Sequence, residues 1–229
     1  DPQTVAAGQS VTYNAEAFDA YGNSLGGVTA LTSWSISSGA GGSWSANVYT
    51  SAKAGTWTVT GTYSSKSDTA TLNVNPAALA KFVITDPSSV KAGLWTSKYT
   101  VQRQDQYGNP ITSGSTIVNL ASTSTGANKK FSTTQRGTPI TSVTIPVGSS
   151  TRDFYYYDEK TGTWTISVSA TGLTGASKSL TVNPGSLASL TMTGYPSSVT
   201  AGQSFGSNDI VVTAYDAYGN VKTDYAGQV

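Results

Sequence analysis

Asp19-Ala-Tyr-Gly-Asn23 returns as Asp105-Gln-Tyr-Gly-Asn109 and again as Asp216-Ala-Tyr-Gly-Asn220. This recurrence constrains the chain more than any other feature, because self-similarity at a long interval marks an array of small modules rather than one large core. Other segments recur in step. Gly55-Thr-Trp-Thr-Val59 comes back 107 residues later as Gly162-Thr-Trp-Thr-Ile166, and Leu72-Asn-Val-Asn-Pro76 comes back 108 later as Leu180-Thr-Val-Asn-Pro184. Asp1-Pro-Gln-Thr-Val-Ala-Ala-Gly8 matches Asp86-Pro-Ser-Ser-Val-Lys-Ala-Gly93 and Tyr195-Pro-Ser-Ser-Val-Thr-Ala-Gly202. Three copies of one unit are present.

Registering the copies gives the expected boundaries: a first repeat at 1–76 without its opening strand, a complete repeat at 77–184, and the N-terminal part of a third at 185–229. Within each, short runs rich in β-branched and aromatic residues, such as Lys81-Phe-Val-Ile-Thr85, Ser115-Thr-Ile-Val-Asn-Leu120 and Thr163-Trp-Thr-Ile-Ser-Val168, are separated by Gly, Pro, Asn and Asp. In the last run Trp164, Ile166 and Val168 share one face and Thr163, Thr165 and Ser167 the other, as a two-residue period requires. About seven such strands per hundred residues, with no helical period, predict an all-β fold of tandem immunoglobulin-like β-sandwiches. The Asp-x-Tyr-Gly-Asn element reads as a tight bend: Gly accepts a positive φ, Asn tolerates it, and the Asp carboxylate caps the turn. Asp209 and Asp224 lie near the third copy without counterparts elsewhere, and one carboxylate per turn falls short of the six to eight oxygens that calcium takes.

A strand running into the turn, as in Val101-Gln-Arg-Gln-Asp-Gln-Tyr-Gly-Asn-Pro-Ile111, resembles the bacterial Ig-like domains found in tandem in invasin- and intimin-like adhesins. The wider pattern, including Ala214-Tyr-Asp-Ala-Tyr-Gly-Asn-Val-Lys-Thr-Asp-Tyr225 and Gly55-Thr-Trp-Thr-Val-Thr-Gly-Thr-Tyr63, is similar to the repeats of very large prokaryotic cell-surface proteins and covers essentially the whole chain. The resemblance implies a surface-exposed tandem array. It does not choose among stalk, surface-layer unit and adhesin spacer, and it carries over no binding residues.

Composition narrows the chemistry. The chain has no Cys and no His, which removes thiolate and imidazole metal sites, a Cys nucleophile, a Ser-His-Asp triad and a His general base. Asp158 and Glu159 are adjacent and point to opposite faces of a strand, so they do not flank one bond and read as a turn before Gly162. The expectation is no catalytic, cofactor-binding or metal-ligating residue, no cofactor and no enzyme activity. A self-formed Lys to Asn amide is conceivable from Lys81 or Lys98 with Asn183. Among the aromatics, Trp57 and Trp164 recur and alternate with Thr, as core residues do. Trp34, Trp44 and Trp95 do not recur and are the candidates for a carbohydrate platform, although a strand Trp covering the core is the simpler reading of the first two. In Phe154-Tyr-Tyr-Tyr157, Phe154 and Tyr156 share one face and Tyr155 and Tyr157 the other.

Only 11% of the residues are charged and the net charge is +1, with 68 Ser and Thr. There is no field to recruit nucleic acid and no apolar run long enough to span a bilayer. By repeat the charge is −2, +5 and −2, which reads either as plain drift of surface residues or, more sharply, as head-to-tail or lateral association of like molecules, acidic repeat against basic repeat. The absence of thiols fits an exported protein that relies on its cores, and no Asn-x-Ser/Thr acceptor occurs. Incomplete sandwiches leave open sheet edges, to be covered by further chain or by strands from neighbouring copies. The expected function is an extracellular, cell-surface structural segment whose partners are further repeats or other copies, joined through the linkers Asn75-Pro76 and Asn183-Pro184. The alternative is a glycan-binding or adhesive module using exposed aromatics.

Overall fold

A computed structural model describes residues 2–85, 87–204 and 210–227. Asp1, Asp86 and Asp209, weighed above, lie outside the described residues. The chain divides into two compact units, Asp1–Lys81 with Gln102–Gly114 and Val147–Ser150, and Phe82–Val101 with Ser115–Pro146 and Thr151–Val229. The Asp105–Asn109 turn of the second repeat therefore belongs to the first unit.

The first repeat contributes β1 (Gln3–Ala6), β2 (Ser10–Thr12), β3 (Glu16–Phe18), β4 (Ser24–Gly27), β5 (Ser33–Ile36), β6 (Ser43–Ser45), β7 (Val48–Thr50), β8 (Gly55–Tyr63) and β9 (Lys66–Asn75). They form a sheet of order β1-β9-β8-β5, a sheet of order β2-β7-β6 and the β3-β4 hairpin. Ala7, Val11, Tyr13, Tyr49, Val59, Leu72 and Val74 are buried between them, with Trp34, Trp44 and Trp57 packed against this core.

The second repeat contributes β10 (Leu79–Thr85), β11 (Ser89–Lys91), β12 (Tyr99–Asp105), β13 (Thr116–Ser122), β14 (Lys130–Ser132), β15 (Ser142–Ile145), β16 (Thr151–Tyr157), β17 (Gly162–Ser169) and β18 (Ala176–Asn183). Sheets of order β10-β12-β16-β14 and β11-β18-β17-β13-β15 enclose a core of sixteen buried residues, including Phe82, Tyr99, Val118, Phe154, Tyr156, Ile166 and Leu180. At about 1.5–3 kcal/mol for each large apolar side chain fully buried, this core is the main stabilising element of its unit. The fold is all-β and sandwich-like, as the sequence predicts.

Register repeats along with sequence. Gly55 lies opposite Val74 in β8-β9, and Gly162 opposite Val182 in β17-β18. In both copies a short strand then runs parallel to the closing one, β1 along β9 and β11 along β18. Alternation holds in β17, where Ile166 and Val168 are buried, Trp164 is half-buried and Thr163 and Thr165 are exposed. Phe82 and Ile84 of β10 are buried in the second repeat, and among the described residues the first repeat holds no counterpart of β10. In the third repeat β19 (Leu187–Thr193) and β20 (Val211–Asp216) pair antiparallel, and β19 is exposed along its whole length.

Candidate functional site: the latches between repeats

Asp105 closes its turn as a cap should. Its Oδ1 accepts the backbone N–H of Tyr107 at 2.9 Å and of Asn109 at 2.8 Å, and its Oδ2 accepts Asn109 Nδ2 at 2.8 Å. The same Oδ2 accepts the N–H of Ala77, the residue after Asn75-Pro76, at 2.9 Å. The Asn109 side chain then reaches the first repeat, donating from Nδ2 to Ala52 O at 2.8 Å and accepting the Ala54 N–H on Oδ1 at 2.9 Å. Gly8, at φ +88°, lies against the Tyr107 ring so closely that a Cβ there would collide with the phenol. Its own N–H is bound to Ser51 O at 2.8 Å. Turn, linker and glycine corner thus form one latch inside the first unit.

The second unit repeats the arrangement. Asp216 Oδ1 accepts the N–H groups of Tyr218 and Asn220, both at 2.9 Å, and its Oδ2 accepts Asn220 Nδ2 and the N–H of Gly185, the residue after Asn183-Pro184, both at 2.8 Å. Asn220 Nδ2 donates to Glu159 O at 2.7 Å and its Oδ1 accepts the Thr161 N–H at 3.1 Å. Gly93, at φ +79°, faces the Tyr218 ring as Gly8 faces Tyr107. Burial alone would raise the carboxyls of Asp105 and Asp216, but the hydrogen bonds from Asn109 and Ala77, and from Asn220 and Gly185, hold both below the ordinary carboxylate range.

The turn reading of Asp-x-Tyr-Gly-Asn holds, and the structure adds the partners that the sequence leaves out. Asp158 is buried and accepts Tyr156 Oη at 2.6 Å, whereas Glu159 accepts Tyr157 Oη at 2.7 Å. The two carboxylates are aimed apart, and the Glu159 main chain serves the latch. Lys98 pairs with Asp153 at 3.1 Å and Lys81 Nζ donates to Gln106 O at 3.4 Å, so both candidate lysines for an amide crosslink have other partners; Asn183 lies opposite Lys91 in the β11-β18 pair. Asp224 pairs with Lys222 at 2.8 Å. No group of three or more potential carboxylate, imidazole or thiolate ligands occurs among the described residues, and no helix among them is long and apolar enough to cross a membrane.

The aromatics separate cleanly. Trp34 and Trp44 lie 6.2 Å apart by ring centroid and both touch Tyr13, at 5.8 Å each, while Trp44 also packs on Tyr49 at 5.0 Å. They belong to the core packing of the first repeat. Trp95 instead pairs with Tyr157 at 5.4 Å, with Lys130 Nζ 4.6 Å from the Tyr157 ring centroid, in an open cleft of about 450 Å³ that Arg136 also lines. Phe154 and Tyr156 are buried, and Tyr155 and Tyr157 are half-buried on the other face.

No protein-family model matches the sequence, and no curated protein matches it. Among solved structures the chain is similar to domains 4 and 5 of the S-layer protein SbsC, with 22% identity over 73% of this chain and 78% of that one at a TM-score of 0.34. It is also similar to the Escherichia coli adhesin FdeC, with 19% identity over 93% and 66% at 0.43. A β-glycosidase from Bacteroides vulgatus matches with 14% identity over 70% and 20% at 0.41. Surface proteins and an enzyme share the likeness, so the fold rests on the strands and registers above and the function on the site.

Proposed function

We propose that the chain is a non-enzymatic, extracellular run of Ig-like modules that serves a prokaryotic cell surface as a stalk, filament or surface-layer segment. The observation that carries this reading is the latch formed twice with the same groups, once by Asp105–Asn109 and once by Asp216–Asn220. A latch that captures the linker N–H, clamps a loop of the preceding repeat and seats a ring on its glycine limits bending at that joint, which is the work of a spacer. Proline at the linker reinforces it by fixing φ and restricting the residue before it. Copies of the chain would meet through the open edges at β3 and β19, by strand addition. Backbone NMR relaxation tests the mechanical claim. The first and second repeats should share one rotational correlation time in the parent chain and diverge in Asn109→Ala, and independent tumbling in the parent would overturn the reading.

A second reading, adhesion to a glycan, is favoured only by the Trp95 cleft, where an aromatic face lies beside Lys130 and Arg136. A polysaccharide pull-down should lose its bound fraction in Trp95→Ala and keep it in Trp44→Ala. Equal binding by parent and both variants, or none at all, would dismiss it.

A further inference from the structure

The Asp-x-Tyr-Gly-Asn turn is present three times and latched twice. The first copy, Asp19–Asn23, has the same internal bonds: Asp19 Oδ1 accepts the N–H groups of Tyr21 and Asn23 at 2.9 and 2.8 Å, and Oδ2 accepts Asn23 Nδ2 at 2.9 Å. Among the described residues Asn23 Oδ1 and the Tyr21 phenol have no hydrogen-bond partner, and Asn23 Nδ2 has none beyond Asp19. Tyr21 is 91% exposed, against 36% for Tyr107 and 44% for Tyr218. The turn is therefore held in its docking conformation with its docking groups in water. A surface whose ordering cost is met before contact is suited to binding.

On the reading of the chain as a latched array, we propose that Asp19–Asn23 is the docking surface for the glycine-corner end of a further Ig-like module of this kind, lying ahead of it in the polypeptide. The two engaged copies define what that partner presents. It offers a glycine at positive φ for the Tyr21 ring, as Gly8 and Gly93 do. It offers a loop with a carbonyl and, two residues on, an N–H for the Asn23 amide, as Ala52 with Ala54 and Glu159 with Thr161 do. It exits through a linker whose N–H reaches Asp19 Oδ2, as those of Ala77 and Gly185 reach their aspartates. That last requirement commits the occupant to the same chain, because a module meeting the turn from another molecule would bring no linker to it.

The test compares the parent chain with a longer one in which a second copy of residues 77–195 is joined ahead of Pro2, with hydroxyl-radical footprinting of tyrosines as the readout. Labelling of Tyr21 should fall about twofold, to the level of Tyr107 and Tyr218, as the ratio of their exposures implies. Gly93→Val in the added copy alone should restore it. In the longer chain Asn23→Ala should lower the urea midpoint as much as Asn109→Ala does, and in the parent chain by less. Tyr21 labelled as strongly in the longer chain as in the parent, with Tyr218 still protected, would overturn this proposal and leave the latches standing. Tyr107 and Tyr218 as reactive as Tyr21 in the parent chain would overturn the latch reading itself.

Discussion

Asn23 and Asn109 occupy the same place in the same turn, and the difference between them isolates what a latch contributes. Replacing Asn23 by Ala removes one bond to an exposed aspartate, whereas Asn109→Ala also strips Ala52 O and Ala54 N of their partner. At about 0.5–1.5 kcal/mol per hydrogen bond, Asn109→Ala should cost about 2 kcal/mol more than Asn23→Ala in urea unfolding. The aspartates add a dependence on pH. Asp105 and Asp216 are more acidic folded than unfolded, so they stabilise the protein above their unfolded value of about 3.9 and cease to do so as pH falls through the folded one. The unfolding midpoint should therefore drop below about pH 4, and drop less in Asp105→Asn. The turn was legible from Asp, Gly and Asn, because each answers to known turn chemistry. The latch was not, since its acceptor and donor on the far side are main-chain groups of Ala52 and Ala54, which leave no mark in a sequence. The retained Tyr was the available signal: the bend needs no aromatic, so Tyr21, Tyr107 and Tyr218 required another reason.

Strands carry a different lesson. The alternation of Trp164, Ile166 and Val168 gives the inward face of β17, whereas in β16 it only separates Phe154 and Tyr156 from Tyr155 and Tyr157, and the structure shows that the first pair is the buried one. Unrepeated residues resist such reasoning, because periodicity tells which way a side chain points and not what fills the space there. Trp44 closes an aromatic cluster and Trp95 lines a cleft, so Trp44→Ala should cost about 3 kcal/mol and Trp95→Ala about 1 kcal/mol or less, read by denaturant unfolding. Arg103 escaped notice altogether. It is fully buried in a strand position filled by Ala17 and Ala214 in the other repeats, and its guanidinium donates to Ile111 O at 2.7 Å, Gly114 O at 2.9 Å and Ser149 O at 2.7 Å. Arg103→Met keeps the apolar stem and abandons three carbonyls, a loss of about 2–3 kcal/mol.

For the whole molecule, charge is the property that composition hides. A net +1 conceals repeats of −2, +5 and −2. If copies associate through these opposed charges, sedimentation should show the association at low salt and its loss at high salt, where screening shortens the reach of surface charges to a few ångströms. Association indifferent to salt would instead point to the exposed apolar strand β19 and to strand addition. Three-fold repetition is a property of the sequence itself and needs no physics to detect; that the Asp105–Asn109 turn groups with the repeat it grips leaves no such mark.

Each latch grips its neighbour through a carbonyl, an N–H and a bare Cα. Ala52-Lys-Ala54 and Glu159-Lys-Thr161 differ in the two residues whose main chains meet the asparagine, yet both offer it the same carbonyl and N–H. The second latch adds the Thr161 hydroxyl, which donates to Asn220 Oδ1 at 3.3 Å, but the contacts common to both are to main chain, and a coupling that reads mainly backbone shape leaves most of the loop free to drift in sequence. Duplication or deletion of a repeat then creates no mismatched surface, and such a chain can change its length in one genetic step while every joint still fits.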